Sequence, residues 1–336
     1  MTKIAFVCAG QGAQVPGMGQ DICATSSAAA AVFASAETAR PGITALCFEG
    51  PAERLNQTVN TQPCLYVDDL ACAKALIEAG IKPEGVAGFS LGEAVACALA
   101  GVMTEQQAFE FVCRRAEAMQ ACTEKYPGTM FAVVRLGSDQ VDAVAAEVGS
   151  VWPVNYNCPG QIVVACDEAV ADALQKQVSA AGGRAIRLTV GGAFHSPLMD
   201  EAVAPLSQWL AGQAFGQATM PLYANATARR YGDAGREQGL LAVHAEVKEA
   251  VDPLREEHGD AESNDPASLL SRQVNHPVRW QQTIENMVAD GFDTFVEVGP
   301  GKTLTGFIRK INSEVRALNV SDAESLRATV EELSHV

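Results

Sequence analysis

Positive charge is scarce in this sequence. Its 336 residues carry 24 lysines and arginines against 40 aspartates and glutamates, a formal net charge of −16. A nucleic-acid partner would call for a basic surface, so composition argues against that class. Long apolar runs are also missing: none reaches the ~20 residues that a membrane span needs. The opening MTKIAFVCAG turns to glycine too soon for a signal peptide and reads as a first strand. No two of the ten cysteines are spaced C-x-x-C, which removes zinc-ribbon and thioredoxin-like readings. All of them lie between Cys8 and Cys166, mostly in apolar stretches, where a free thiol acts as a small hydrophobe. A reduced, cytoplasmic setting is therefore expected. A nucleotide signature is lacking as well. The turn Gly10-Gln11-Gly12-Ala13-Gln14 is followed by no G-K-[ST] and does not complete G-x-G-x-x-G.

What is present is an ordinary globular balance, 48% hydrophobic and 19% charged, in a chain long enough for one large domain with a smaller one inserted. Short apolar strands alternate with helical patterns, the texture of an α/β fold. Lys3 to Ala9 and Gly85 to Phe89 read as strands, and Ser90 to Ala100 as a buried helix. From Gly128 the texture changes. MFAVVRL, DQVDAVAAEV, VWPVNYN, QIVVAC, DEAVADALQKQVSAAGG and RAIRLTV read β-α-β-β-α-β, a ferredoxin-like unit. The expected division is 1–127 with 194–336 as the large domain and 128–193 as the small one. The large part resumes near His195 and ends on the strand TFVEV and a GPGK turn. Residues 232–264 read as an extra acidic insertion. Its apolar stripe of Leu240, Val243, Val247, Val251 and Leu254 predicts a packed helical excursion.

Three positions carry candidate chemistry. Gly88-Phe89-Ser90-Leu91-Gly92 is G-x-S-x-G between a strand and a helix, where a nucleophile elbow belongs. Ser90 would be a nucleophile there, or a plain helix N-cap. A serine nucleophile needs a base. Of the five histidines, His244 and His258 fall in the acidic segment, His335 near the C-terminus and His276 before Pro277. His195, in the apolar loop GGAFHSPLMD, is the candidate base, or else a structural histidine. Arg115 shares a helical face with Phe111, Val112 and Met119, whereas Arg114 is flanked by Glu110 and Glu117 and reads as solvated. A cation on an apolar stripe needs an anion, either a protein carboxylate or one on a substrate.

FVCAGQGAQVPGMG, TQP at 61–63, GFSLGE, RRAEAMQ, NYNCPGQIVVA, FHSPLM, RQVNHPVRW, FVEVGPGKTLTG and NVSDAESL, in that order over nearly the whole chain, resemble the malonyl-CoA:acyl carrier protein transacylases of fatty-acid synthesis. Equivalent acyltransferase domains occur in polyketide synthases. The resemblance implies a hydrolase-like α/β core with an inserted ferredoxin-like subdomain. It implies Ser90 as nucleophile, His195 as base and the Gln11 and Leu91 amides as oxyanion donors. It implies Arg115 as receptor of the acyl carboxylate, with Gln62 and Phe194 beside the substrate. A backbone carbonyl would orient the histidine, that of Gln273 or, as second choice, of Asn275. The implied reaction is ping-pong transfer from malonyl-CoA to the phosphopantetheine of acyl carrier protein, without metal or redox cofactor, by a monomer. A trans-acting polyketide acyltransferase, a serine acyl hydrolase and a non-catalytic docking protein are the alternatives. The sequence departs from the family's pattern at Phe89, where histidine is usual, and in the 232–264 insertion.

Overall fold

The computed structural model of the chain describes residues 2–232 and 264–334. The helical excursion expected over 232–264 lies outside the described residues, apart from its two end positions. Nine strands run through the described chain: β1 (Ile4–Cys8), β2 (Gly85–Gly88), β3 (Gly128–Val134), β4 (Val151–Cys158), β5 (Gln161–Asp167), β6 (Arg184–Arg187), β7 (Leu222–Tyr223), β8 (Thr294–Val298) and β9 (Arg316–Val320). They form two sheets, a five-stranded one ordered β7-β2-β1-β8-β9 and a four-stranded one ordered β4-β5-β3-β6.

Every pairing in the five-stranded sheet is parallel. Its central strands, IAFVC and TFVEV, are buried almost throughout because helices cover both faces, and Glu297, the one acid in them, accepts from the Leu304 and Thr305 N–H groups. The helices Thr58–Glu78 and Gly92–Leu99 are buried over most of their length. Register brings the loops together. Cys8 pairs with both Gly88 and Val298, so β1, β2 and β8 end level. The loops leaving them, GQGAQ, FSLG and GPGK, therefore stand side by side at the carboxyl edge, where open α/β sheets bind their ligands.

The four-stranded sheet is antiparallel, and helices Ser138–Val148 and Ala171–Ala180 complete the ferredoxin-like order. Alternation along β3 serves two cores. Phe131 and Val133 pack into the small sheet's own cluster, while Met130 and Ala132 join the main core. A parallel bridge between Asn155 and Val278 ties β4 to the stretch RQVNHPVRW, with the Val278 N–H donating to Val154 O at 2.8 Å.

Some expected boundaries shift. The helix expected from Ser90 begins at Gly92, because Ser90 has a φ of 53° and cannot be helical. β6 stops at Arg187, and Leu188 and Val190 turn towards a cleft that Ser90 also lines. The chain does not finish at GPGK: a helix Thr303–Ile311, β9 and a helix Ala323–Ser334 lie beyond it. β9 is a sheet edge with only Ala317 and Val320 buried, so its apolar signal is faint. The cysteines are free, all but Cys23 and Cys113 buried. Among the described residues no helix is long and apolar enough to cross a membrane.

Candidate active site

The turn from β2 into the Gly92–Leu99 helix leaves no room for side chains. A Cβ on Gly88 would sit 1.9 Å from the Gly92 carbonyl carbon, and one on Gly92 would sit 2.3 Å from Cys8 O. Both glycines of G-x-S-x-G are thus required by backbone packed on backbone. Ser90 between them takes a left-handed conformation that costs a non-glycine residue about 1–3 kcal/mol. Neighbours hold it there. Its N–H donates to Asn225 Oδ1 at 2.6 Å, and Asn225 Nδ2 donates to Gly88 O at 2.6 Å. Ser90 is not the helix cap, a position that Leu91 occupies without a side-chain bond.

His195 also has a positive φ, 63°, and its N–H is pinned to Val274 O at 3.0 Å. That bond sets its ring between Ser90 and the Gln273–Asn275 turn. Ser90 Oγ and His195 Nε2 are 2.7 Å apart. On the far side, Nδ1 faces Gln273 O at 2.9 Å and His276 O at 3.2 Å. Two carbonyls can only accept, so the proton resides on Nδ1 and Nε2 presents its lone pair to the serine hydroxyl. Burial, then the Arg115 cation, push the imidazole down to about 3, against the two carbonyl bonds. His195 is therefore neutral at physiological pH. Gln273 supplies the orienting carbonyl, joined by His276. Asn275 instead donates from its side chain to Asp200 at 2.9 Å.

Arg115 is 1% exposed. It sits on the helix Glu105–Lys125, whose start is fixed by a capping box of Thr104 and Gln107. Its Nη1 donates to Gln62 Oε1 at 2.8 Å, Nη2 to Gln273 Oε1 at 2.8 Å, and Nη2 to Ser90 Oγ at 3.1 Å. Among the described residues no carboxylate is within ion-pair distance of it. Burial lowers it to about 10, which leaves it protonated at neutral pH. Arg114 is exposed, as its flanking glutamates predict, and lies over the Trp209 ring at 5.4 Å, with no ion pair among the described residues.

The main-chain N–H groups of Gln11 and Leu91 have no hydrogen-bond partner among the described residues. Both flank Ser90, one after β1 and one after β2. Gln62, Met119, Met130, Phe194, Leu188 and Val190 line a cleft with Gln11, Ser90, His195, Phe89 and Asn155. Phe89 also packs edge-on against Trp280 at 5.5 Å.

Besides the His276 carbonyl, sequence reasoning missed two residues. Asn225 seats the elbow from 135 positions away, in a stretch with no local signal. Glu93 is 1% exposed and donor-lined, and burial pushes it up to about 7 against Tyr231, Gln273, Asn225 and Arg115, which lower it. Its signal was there: a lone acid in the apolar helix GEAVACAL invites the same question as Arg115.

Residues 5–329 match the acyl transferase domain family. The chain is 33% identical to the malonyl CoA-acyl carrier protein transacylase of Bacillus subtilis (strain 168), over 99% of this chain and 98% of that protein. It is 34% identical to the protein of that name from Escherichia coli (strain K12), over 98% and 100%. Among solved structures, a malonyl CoA-acyl carrier protein transacylase from Clostridium perfringens superimposes with a TM-score of 0.86 at 31% identity, covering 99% of this chain and 98% of that one. A malonyl-transacylase solved in complex with its type II PKS acyl-carrier protein gives 0.84 at 31% identity, over 98% and 100%. The chain belongs to the acyl transferase family.

Proposed function

We propose that this chain transfers the malonyl group of malonyl-CoA to the phosphopantetheine thiol of acyl carrier protein, by a ping-pong route through malonyl-Ser90. The observation that carries the reading is Arg115: a buried cation that bonds to the nucleophile's own oxygen and has no carboxylate in direct contact among the described residues. With no carboxylate in direct contact, its guanidinium can take up a malonyl carboxylate in a two-pronged contact, which a neutral acyl chain does not offer. His195 Nε2 takes the Ser90 proton as Oγ attacks the thioester carbonyl. The Gln11 and Leu91 N–H groups receive the oxyanion, worth roughly 3 kcal/mol each in comparable sites. The thiolate of coenzyme A leaves with the proton from His195, and malonyl-Ser90 remains. The carrier thiol then gives its proton to His195, attacks the ester and regenerates Ser90. Gln62, Phe194 and the methionines of the cleft surround the acyl group. The chemistry asks for no cofactor beyond the two substrates, and we place it in a cytoplasmic monomer.

Malonyl-CoA consumption with and without phosphopantetheinylated carrier tests this. One equivalent consumed without carrier, and continuous consumption with it, is the expected result. Continuous consumption without carrier would make the protein a hydrolase. No consumption in either case would make Ser90 and His195 incidental.

A further inference from the structure

Glu93 takes no part in that route, yet it is a buried acid beside its centre. Among the described residues, every hydrogen-bond partner of its two oxygens is a donor. Oε1 accepts from the Tyr231 hydroxyl at 2.6 Å and the Asn225 N–H at 3.3 Å, and Oε2 accepts from Gln273 Nε2 at 2.6 Å. Such a lining suits a carboxylate. The second Nε2 hydrogen of Gln273 goes to Ser90 O at 2.7 Å. With both amide hydrogens facing acceptors, Gln273 Oε1 must point the other way. There it accepts from Arg115 Nε at 3.2 Å and Nη2 at 2.8 Å. A flipped amide would set NH₂ against guanidinium and oxygen against carboxylate.

The charge pattern is a consequence of this bridge. In its ionised form Glu93 is the counter-charge of Arg115, but one amide removed from it. A carboxylate in direct contact would occupy the fork that an acyl carboxylate needs. Held by amide oxygens instead, Arg115 is compensated and still open towards Ser90.

We propose that Glu93 is a positioning residue for acyl selection: its carboxylate sets the orientation of the Gln273 amide and thereby aims the Arg115 guanidinium at the acyl group on Ser90. This rests on the reading of Arg115 as the receptor of the acyl carboxylate. An amide at position 93 cannot replace the carboxylate. With its oxygen towards Gln273, its NH₂ confronts the Asn225 N–H. With its NH₂ towards Gln273, the Gln273 oxygen turns away from Arg115.

The test is kcat/KM for acylation of Ser90 by malonyl-CoA and by acetyl-CoA in wild type, Glu93→Gln, Gln273→Met, Tyr231→Phe and Arg115→Ala. Losing one well-aimed charge-assisted contact predicts that the malonyl-to-acetyl ratio falls ~10-fold or more in Glu93→Gln. Gln273→Met keeps the main-chain carbonyl for His195 but removes the amide, and should show the same selective loss even if Glu93→Gln folds poorly. Tyr231→Phe leaves the Glu93–Gln273 contact in place and should keep the ratio within ~3-fold. Equal losses for both acyl groups in Glu93→Gln, or an unchanged ratio in Gln273→Met, would overturn the proposal. If Arg115→Ala itself leaves the ratio unchanged, the reading of Arg115 fails first, and that outcome is distinguishable from failure at Glu93 alone.

Discussion

Buried ionisable side chains give this protein opposing pH dependences. His195 is held near 3, below its ordinary 6.5, so between those values only the unfolded chain takes the proton and stability falls as pH falls. The same value keeps the base free to accept a proton throughout the neutral range, so the acid limb of the acylation rate should not come from His195 near pH 6. Asp68 works in the other direction. It lies in the core on the Thr58–Glu78 helix, and neither of its oxygens has a hydrogen-bond partner among the described residues. Burial, and then Asp21, push it from 3.8 up to about 8. Its folded value is the raised one, so its contribution is fully present below 3.8 and is lost as pH rises through 8. Asp68→Asn removes that titration. In urea denaturation the variant should gain on wild type by at least ~1 kcal/mol between pH 5 and pH 9, since one pH unit is worth about 1.4 kcal/mol per proton. A difference that stays constant with pH would show that Asp68 is accommodated as a charge.

The elbow between β2 and the Gly92–Leu99 helix is the element on which the site depends. A methyl group at position 92 would meet the carbonyls of Cys8 and Ala9, both backbone, so β1 or the helix must move. Gly92→Ala should cost at least ~2 kcal/mol by the usual scale of overpacking, and should slow Ser90 acylation because β1 also carries Gln11. Native melting with wild-type acylation would show that the turn has slack to take up a methyl group. The elbow was legible in the sequence because its constraint is local: two glycines two residues either side of a serine, between a strand and a helix. The small sheet was legible for the same reason, since each strand and helix states its own period. Arg115 could be singled out from helical spacing alone, but its partners could not. Gln62, Gln273 and Ser90 reach it from three separate loops and helices, and only packing brings them together. Asn225 and β7 were illegible because a two-residue strand and a lone asparagine carry no periodic signal. The edge strand β9 was faint because water, not core, faces much of it.

At the scale of the whole molecule, a net charge of −16 poses a problem for an enzyme whose proposed partner is an acidic carrier protein. Beyond about 8 Å at physiological salt such repulsion is screened, so local basic groups can decide docking. Lys302 is exposed in the GPGK turn and Lys310 at the far end of the helix that follows it, and Arg184 is exposed on β6, the edge strand that runs on into the cleft lining. None of the three has an ion-pair partner among the described residues, whereas Arg187 is held by Glu168 at 2.6 Å. Charge reversal at Lys302, Lys310 and Arg184 should therefore raise the KM for carrier protein several-fold, leave formation of malonyl-Ser90 unchanged, and exceed the effect of reversing Arg187. Unchanged carrier kinetics in the triple variant would move the docking surface elsewhere. Selection, transfer and docking all depend on the acyl group resting on Ser90. Intact-mass analysis of the protein mixed with malonyl-CoA, without carrier, tests that most directly. The expected result is one malonyl adduct, located on Ser90, absent in Ser90→Ala and discharged when phosphopantetheinylated carrier is added. An adduct that persists in Ser90→Ala, or transfer to carrier with no adduct at any time, would contradict it.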